Sequence, residues 1–84
     1  MTAEVLRSSL TAPPGGVRTD EVGVITGDLE LATECEAGAV VVWLRYAGAD
    51  EWYRISGADV ELHDARDHAA LHRALAAVLH RPAG

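Results

Sequence analysis

The feature that most constrains the fold is the run VVVWLRYAGADEWYRIS at residues 40–56. Side chains alternate between faces along a strand. Val40, Val42, Leu44 and Tyr46 therefore share one face of the first arm, and Val41, Trp43 and Arg45 share the other. In the second arm Tyr53 and Ile55 alternate with Trp52, Arg54 and Ser56. Between the arms, residues 47–50 form a loop of ordinary hairpin length with turn-forming residues. This loop pairs Leu44 with Tyr53, Val42 with Ile55, Trp43 with Arg54, and Arg45 with Trp52. A slip of one residue would set Leu44 against Arg54 and mix the faces, so burial of one face selects the register. One face is then wholly apolar and the other is a checkerboard of indole and guanidinium. Arg over Trp is favourable by about 0.5–1 kcal/mol at an exposed site, and cross-strand pairs act on the same scale.

The flanking segments extend this hairpin into an α+β domain. Residues 29–35 alternate Leu29, Leu31, Thr33 and Cys35 with acidic neighbours, as a half-exposed antiparallel strand does. Glu36, Ala37 and Gly38 turn that strand into the hairpin. Upstream, residues 22–26 are β-prone, and the apolar phase changes at Gly27-Asp28, from Val22 and Val24 to Leu29 and Leu31. That change marks a tight turn or a bulge. Residues 1–12 read as a short edge strand or a frayed arm, and Pro13-Pro14-Gly15-Gly16 breaks regular structure behind them. The domain division is an N-terminal arm with a Pro/Gly linker over 1–16 and one α+β domain over 17–84.

Residues 65–81 are rich in Ala and Leu and form the strongest helix signal. Asp64 is placed to cap it, and Asp67 adds negative charge to the first turn. His80 and Arg81 occupy the last turn, and Pro82 stops the helix. At about 100° per residue, Leu71, Leu75, Val78 and Leu79 fall in one sector, with Ala74 at its edge. That stripe is expected to lie across the Val42/Leu44/Tyr53/Ile55 side of the sheet. The predicted architecture is a small antiparallel β-meander of three or four strands with one C-terminal helix packed on one face. The face carrying Trp43 and Trp52 stays open unless residues 1–12 or a second subunit cover it.

Composition narrows the function classes. Eighty-four residues make a single domain with a modest core, for which dimerisation is a natural supplement. Lys, Asn, Gln and Phe are absent and Ala, Gly, Arg and Val abundant, which points to a high-GC bacterial genome. A net charge of −6 argues against nucleic-acid binding through phosphate neutralisation. A single cysteine, Cys35, excludes an internal disulfide and suits a reducing cytoplasm. The N-terminus lacks the basic start and apolar run of a signal peptide. No segment approaches the roughly 20 apolar residues that a membrane span needs, so cytoplasmic localisation is expected.

Candidate chemistry is sparse. His68 and His72 lie one helical turn apart with Asp64 a turn earlier, which invites a metal. No further ligand cluster accompanies them, and His68 falls inside the apolar sector of the helix with His72 at its edge. No metal site, cofactor or catalytic residue is therefore assigned. Ser8, Ser9 and Ser56 have no nucleophile-elbow setting, and no glycine pair forms a phosphate loop. Trp43, Arg45, Trp52 and Arg54 remain as the candidate interaction surface, because interfaces favour Trp and Arg. The bland alternative is that the two indoles only stiffen the sheet. The expected function is a non-enzymatic protein-interaction module, as a homodimer or with a heterologous protein partner. A second reading is an acidic inhibitor of the immunity-protein, antitoxin or nucleic-acid-mimic kind. It would use the row Asp28, Glu30, Glu34 and Glu36 against a basic partner.

Overall fold

A computed structural model describes residues 3–55 and 57–80. It is an α+β fold in which antiparallel strands carry a single C-terminal helix. The strands in chain order are β1 (Glu4–Thr11), β2 (Val17–Thr19), β3 (Gly23–Ile25), β4 (Asp28–Glu36), β5 (Ala39–Tyr46), β6 (Tyr53–Arg54) and β7 (Val60–Glu61). Helix α1 (His68–Leu79) follows a 3₁₀ turn at Ala65–Asp67. The main sheet runs β1-β4-β5-β6, with β7 also on β5, while β2 and β3 form a separate ribbon. The strand number is thus higher than the three or four predicted. The surplus comes from β1, from the ribbon and from the split of the last edge into β6 and β7.

Local geometry explains the framework. Ala37 and Gly38 both have positive φ, 51° and 85°, and they join Glu36 to the paired Ala39 in the tightest form of hairpin. Gly38 is fixed by a second constraint. Its carbonyl accepts from the Leu62 amide at 2.7 Å, and a Cβ there would lie 2.8 Å from the Leu62 carbonyl oxygen. Trp43 pairs with Arg54 and Leu44 with Tyr53, the register that the apolar face selects. The Ile55 amide donates to the Val42 carbonyl, continuing it. The edge then breaks, and β7 resumes three residues out of step, with Val60 opposite Val40. Ser56, in that break, lies outside the described residues, as do Arg81 and Pro82 at the predicted helix end.

Residues 4–11, set apart in the sequence reading with the Pro/Gly linker as an N-terminal arm, form an edge strand of the sheet. All eight pair with β4, from Glu4 opposite Cys35 to Thr11 opposite Asp28. They lie beside β4, and on the outer face the Arg7 guanidinium reaches the Trp52 ring.

The inner face of the sheet is sealed by two pieces. Helix α1 packs on β1 and β4, not across β5 and β6 as its stripe suggested. The ribbon takes the other half: Val17 and Ile25 join Leu29, Leu31, Val42 and Leu44 in the core, and Thr19 bridges to Ile55. Within the ribbon Ile25 is buried, while Val22 and Val24 are about half exposed. Ile25 and Leu29 are both buried while residues 26–28 between them are exposed, and Gly27, at φ 88°, supplies the turn. Burying Leu44, Leu31 or Leu29 contributes roughly 1.5–3 kcal/mol each. Asp64 caps the 3₁₀ turn by accepting from the Arg66 amide.

The inward side of α1 is turned by one row from the predicted sector. Leu71, Leu75 and Leu79 pack on the core, but Val78 is 78% exposed and the fully inward positions are His68 and His72. Polar partners on β1 and β4 explain this rotation.

Candidate interaction surface

The outer face of the sheet is assembled from four strands. Strand β5 contributes Val41, Trp43 and Arg45, and the hairpin register sets Arg54 opposite Trp43. Strand β4 places Glu30 opposite Arg45, Ala32 opposite Trp43, and Glu34 opposite Val41. Strand β1 sets Val5 opposite Glu34 and Arg7 opposite Ala32. Trp43, Arg45, Trp52 and Arg54, the four residues singled out from sequence, all meet here.

Their contacts form two stacks. The Arg45 guanidinium lies 4.4 Å from the Trp52 ring centre and Arg7 lies 5.5 Å from it, so two cations contact this indole. The Arg54 guanidinium lies 5.1 Å from the Trp43 ring centre. Each of these cations is worth about 0.5–1 kcal/mol to its indole at an exposed site. Ion pairs orient two of the three. Arg45 bonds Glu30 at 2.5 Å across the β4–β5 pair, and Arg54 bonds Asp59. The Arg54 Nε is buried and has no hydrogen-bond partner among the described residues, which carries a cost. Neither indole stands free: both are half-buried. Small Ala32 makes room for them and is itself only 5% exposed.

A groove of about 270 Å³ remains, lined by Val5, Arg7, Ala32, Glu34, Trp43 and Trp52. Val5 is 47% exposed beside it. Arg7 and Glu34 border the groove, and among the described residues neither makes an ion pair.

Sequence reasoning missed Arg7 and Val5, because nothing local shows that β1 lies next to β4. It also placed the acidic row Asp28, Glu30, Glu34 and Glu36 apart from the indoles, yet β4 adjoins β5 and both rows share this face. Glu30 is taken by Arg45, and Asp28 accepts from the Thr11 hydroxyl at 3.1 Å. The result is a mixed-charge surface.

The two helical histidines belong to the opposite face. His68 Nδ1 lies 2.7 Å from Glu4 Oε1, and its Nε2 lies 2.8 Å from Thr33 Oγ1. His72 Nδ1 lies 2.7 Å from the same hydroxyl, and its Nε2 lies 2.7 Å from Ser8 Oγ. All four ring nitrogens are thereby engaged, and Thr33 occupies the point on which the two rings converge. Asp64, the third ligand considered, is bound to Arg66, whose guanidinium and amide hold its carboxyl below the usual carboxylate range. Among the described residues no group of three potential ligands is placed to hold a metal ion. Nor, among them, is any helix long and apolar enough to cross a membrane.

No protein-family model matches this chain, and neither a curated protein nor a solved structure matches it.

Proposed function

We propose that this chain is a non-enzymatic interaction module that associates with a second copy of itself through the Trp/Arg face. The observation that carries the reading is the groove between Trp43 and Trp52, bordered by a cation, Arg7, and an anion, Glu34, neither of which makes an ion pair among the described residues. A two-fold axis through such a patch sets Arg7 of one copy against Glu34 of the other, and the reverse. The apolar floor of indoles, Ala32 and Val5 then supplies the dry centre that interfaces favour. A surface carrying both signs is its own complement. It is a poor match for a uniformly basic partner, which weakens the inhibitor reading. No group is assigned to catalysis, and a reducing cytoplasm suits the buried, free Cys35.

Charge reversal tests the pairing. Arg7→Glu or Glu34→Arg alone sets like charges face to face and is expected to weaken association about tenfold or more, the effect of roughly 1.4 kcal/mol. The double variant Arg7→Glu/Glu34→Arg restores it. Association that ignores both single changes places the interface elsewhere. A wild-type chain that stays monomeric leaves the same face for a heterologous protein.

A further inference from the structure

The inner face holds a device that the Trp/Arg surface does not use: the single file Glu4–His68–Thr33–His72–Ser8, four contacts of 2.7–2.8 Å. With Glu4 ionised and both rings neutral, one proton arrangement satisfies every contact. Ser8 donates to His72 Nε2, His72 Nδ1–H to Thr33, Thr33 to His68 Nε2, and His68 Nδ1–H to Glu4. Both imidazoles then carry their hydrogen on Nδ1.

One added proton is accommodated. An imidazolium at His68 donates to Thr33, Thr33 turns to donate to His72 Nδ1, and His72 donates from Nε2 to Ser8, so all four contacts survive. A second proton is not. Both rings would then donate to one hydroxyl, whose own hydrogen would have no acceptor at a residue with 0% exposure. Two positive rings would also face each other across a single oxygen, and a buried group left unsatisfied in this way is costly.

Both ends of the file are on β1, at Glu4 and Ser8, and the intervening rings are on α1. β1 is an edge strand, held by β4 and α1. Its alternate residues, Val5 and Arg7, form one wall of the Trp52 groove on the other side of the sheet. We propose that this file is a proton-operated latch on β1, and that a second proton on the histidine pair frees the Val5/Arg7 wall of the groove. The consequence for self-association rests on the groove being the interface; the latch itself does not.

The charged surroundings favour this sense. On the inner side, the titratable neighbour of His72 is His68 on its own helix; Glu4 from β1 binds the far side of the His68 ring, and Cys35 from β4 lies opposite Glu4. The Arg7, Glu30 and Glu34 side chains belong to the outer face, and Asp64 and Asp67 sit at the start of the helix. Burial first, and His68 second, hold the His72 imidazole below its ordinary value of 6.5, opposed by the Arg7 main chain. The folded chain therefore takes up this proton less readily than the unfolded one. Stability from the latch is complete above pH 6.5 and is lost as the pH falls from there through the folded-state value.

Two readouts on the intact chain test it. Imidazole nitrogen shifts at neutral pH are expected to show both His68 and His72 as Nδ1–H tautomers; an Nε2–H ring at either position overturns the file. Hydrogen exchange over residues 4–11, corrected for intrinsic chemistry, is expected to speed up about tenfold or more between about pH 7.5 and about pH 5. Exchange in the β4–β5 hairpin stays put. His72→Gln, which cannot take a proton, flattens that dependence. A pH-independent β1 in the wild type, or an undiminished response in His72→Gln, contradicts the latch. Should His72→Gln fail to fold, opening of residues 4–11 in the wild type must still track the His72 titration, and a mismatch overturns the proposal. If β1 opens with acid but solution mass is unmoved, the latch stands and the interface reading fails.

Discussion

On the inner face of the β4–β5 pair, large side chains are sealed and the four imidazole nitrogens each have a fixed partner. On the outer face, one residue away along the same strands, two indoles are incompletely covered and guanidinium groups serve as part of their packing. Polar groups on the inner side, His68, Thr33 and His72, are buried and held by direct hydrogen bonds, with the Glu4 side chain at the open end of the file 61% exposed. Those on the outer side are held by ion pairs and ring stacking, each worth little alone and open to exchange with a partner. Stability is concentrated on one face and adaptability on the other, and β1 belongs to both.

Neighbouring residues on β5 measure the difference. Leu44 is fully buried, and Leu44→Ala is expected to cost about 2–5 kcal/mol in urea unfolding. That is a large part of the 5–15 kcal/mol typical of a small domain. Trp43→Ala removes a larger side chain that is mostly covered but keeps an edge in water, and is expected to cost about 3 kcal/mol, the low end of the range for Trp despite its size. A loss at Trp43 of about 5 kcal/mol, the full value for a sealed Trp, would erase the distinction between the faces.

A finer change sharpens the comparison on the inner side. Thr33→Val keeps the shape of the side chain and removes the hydroxyl that joins the two rings. It is expected to cost about 1–3 kcal/mol for each imidazole nitrogen left open. A neutral outcome would mean that the rings find other partners.

The smallest effect belongs to the outer side. Arg45→Met loses the cation over Trp52 and the Glu30 ion pair, about 0.7–2 kcal/mol in all. Its signature is a change in Trp fluorescence with little change in unfolding midpoint.

How far each face was legible follows from the range of its determinants. The hairpin register, Trp43 with Arg54 and Leu44 with Tyr53, is local, set by period two, and was readable. The second strand is only Tyr53–Arg54, so Trp52 lies before it and meets Arg45 as a ring contact and not as the expected ladder pair. Arg7 was not readable, since its place beside Ala32 depends on a strand pairing across the whole β2–β3 excursion. The histidines show the same limit. Helical spacing identified His68 as inward, but Glu4 and Ser8 each lie 64 residues from the ring that they bind. Without those partners the apolar sector looked centred nearer Val78. The ribbon was misread for a third reason. Valines drew attention to 22 and 24, whereas the geometry of Gly27 decides that Ile25 is the residue turned inward.

The most direct measurement of the central claim is solution mass by size-exclusion chromatography with light scattering, run over a wide concentration range on the wild type and on Trp43→Ala/Trp52→Ala. The account predicts a wild-type dimer that the double variant converts to a folded monomer with unchanged helix content. A dimer that survives the loss of both indoles would contradict it.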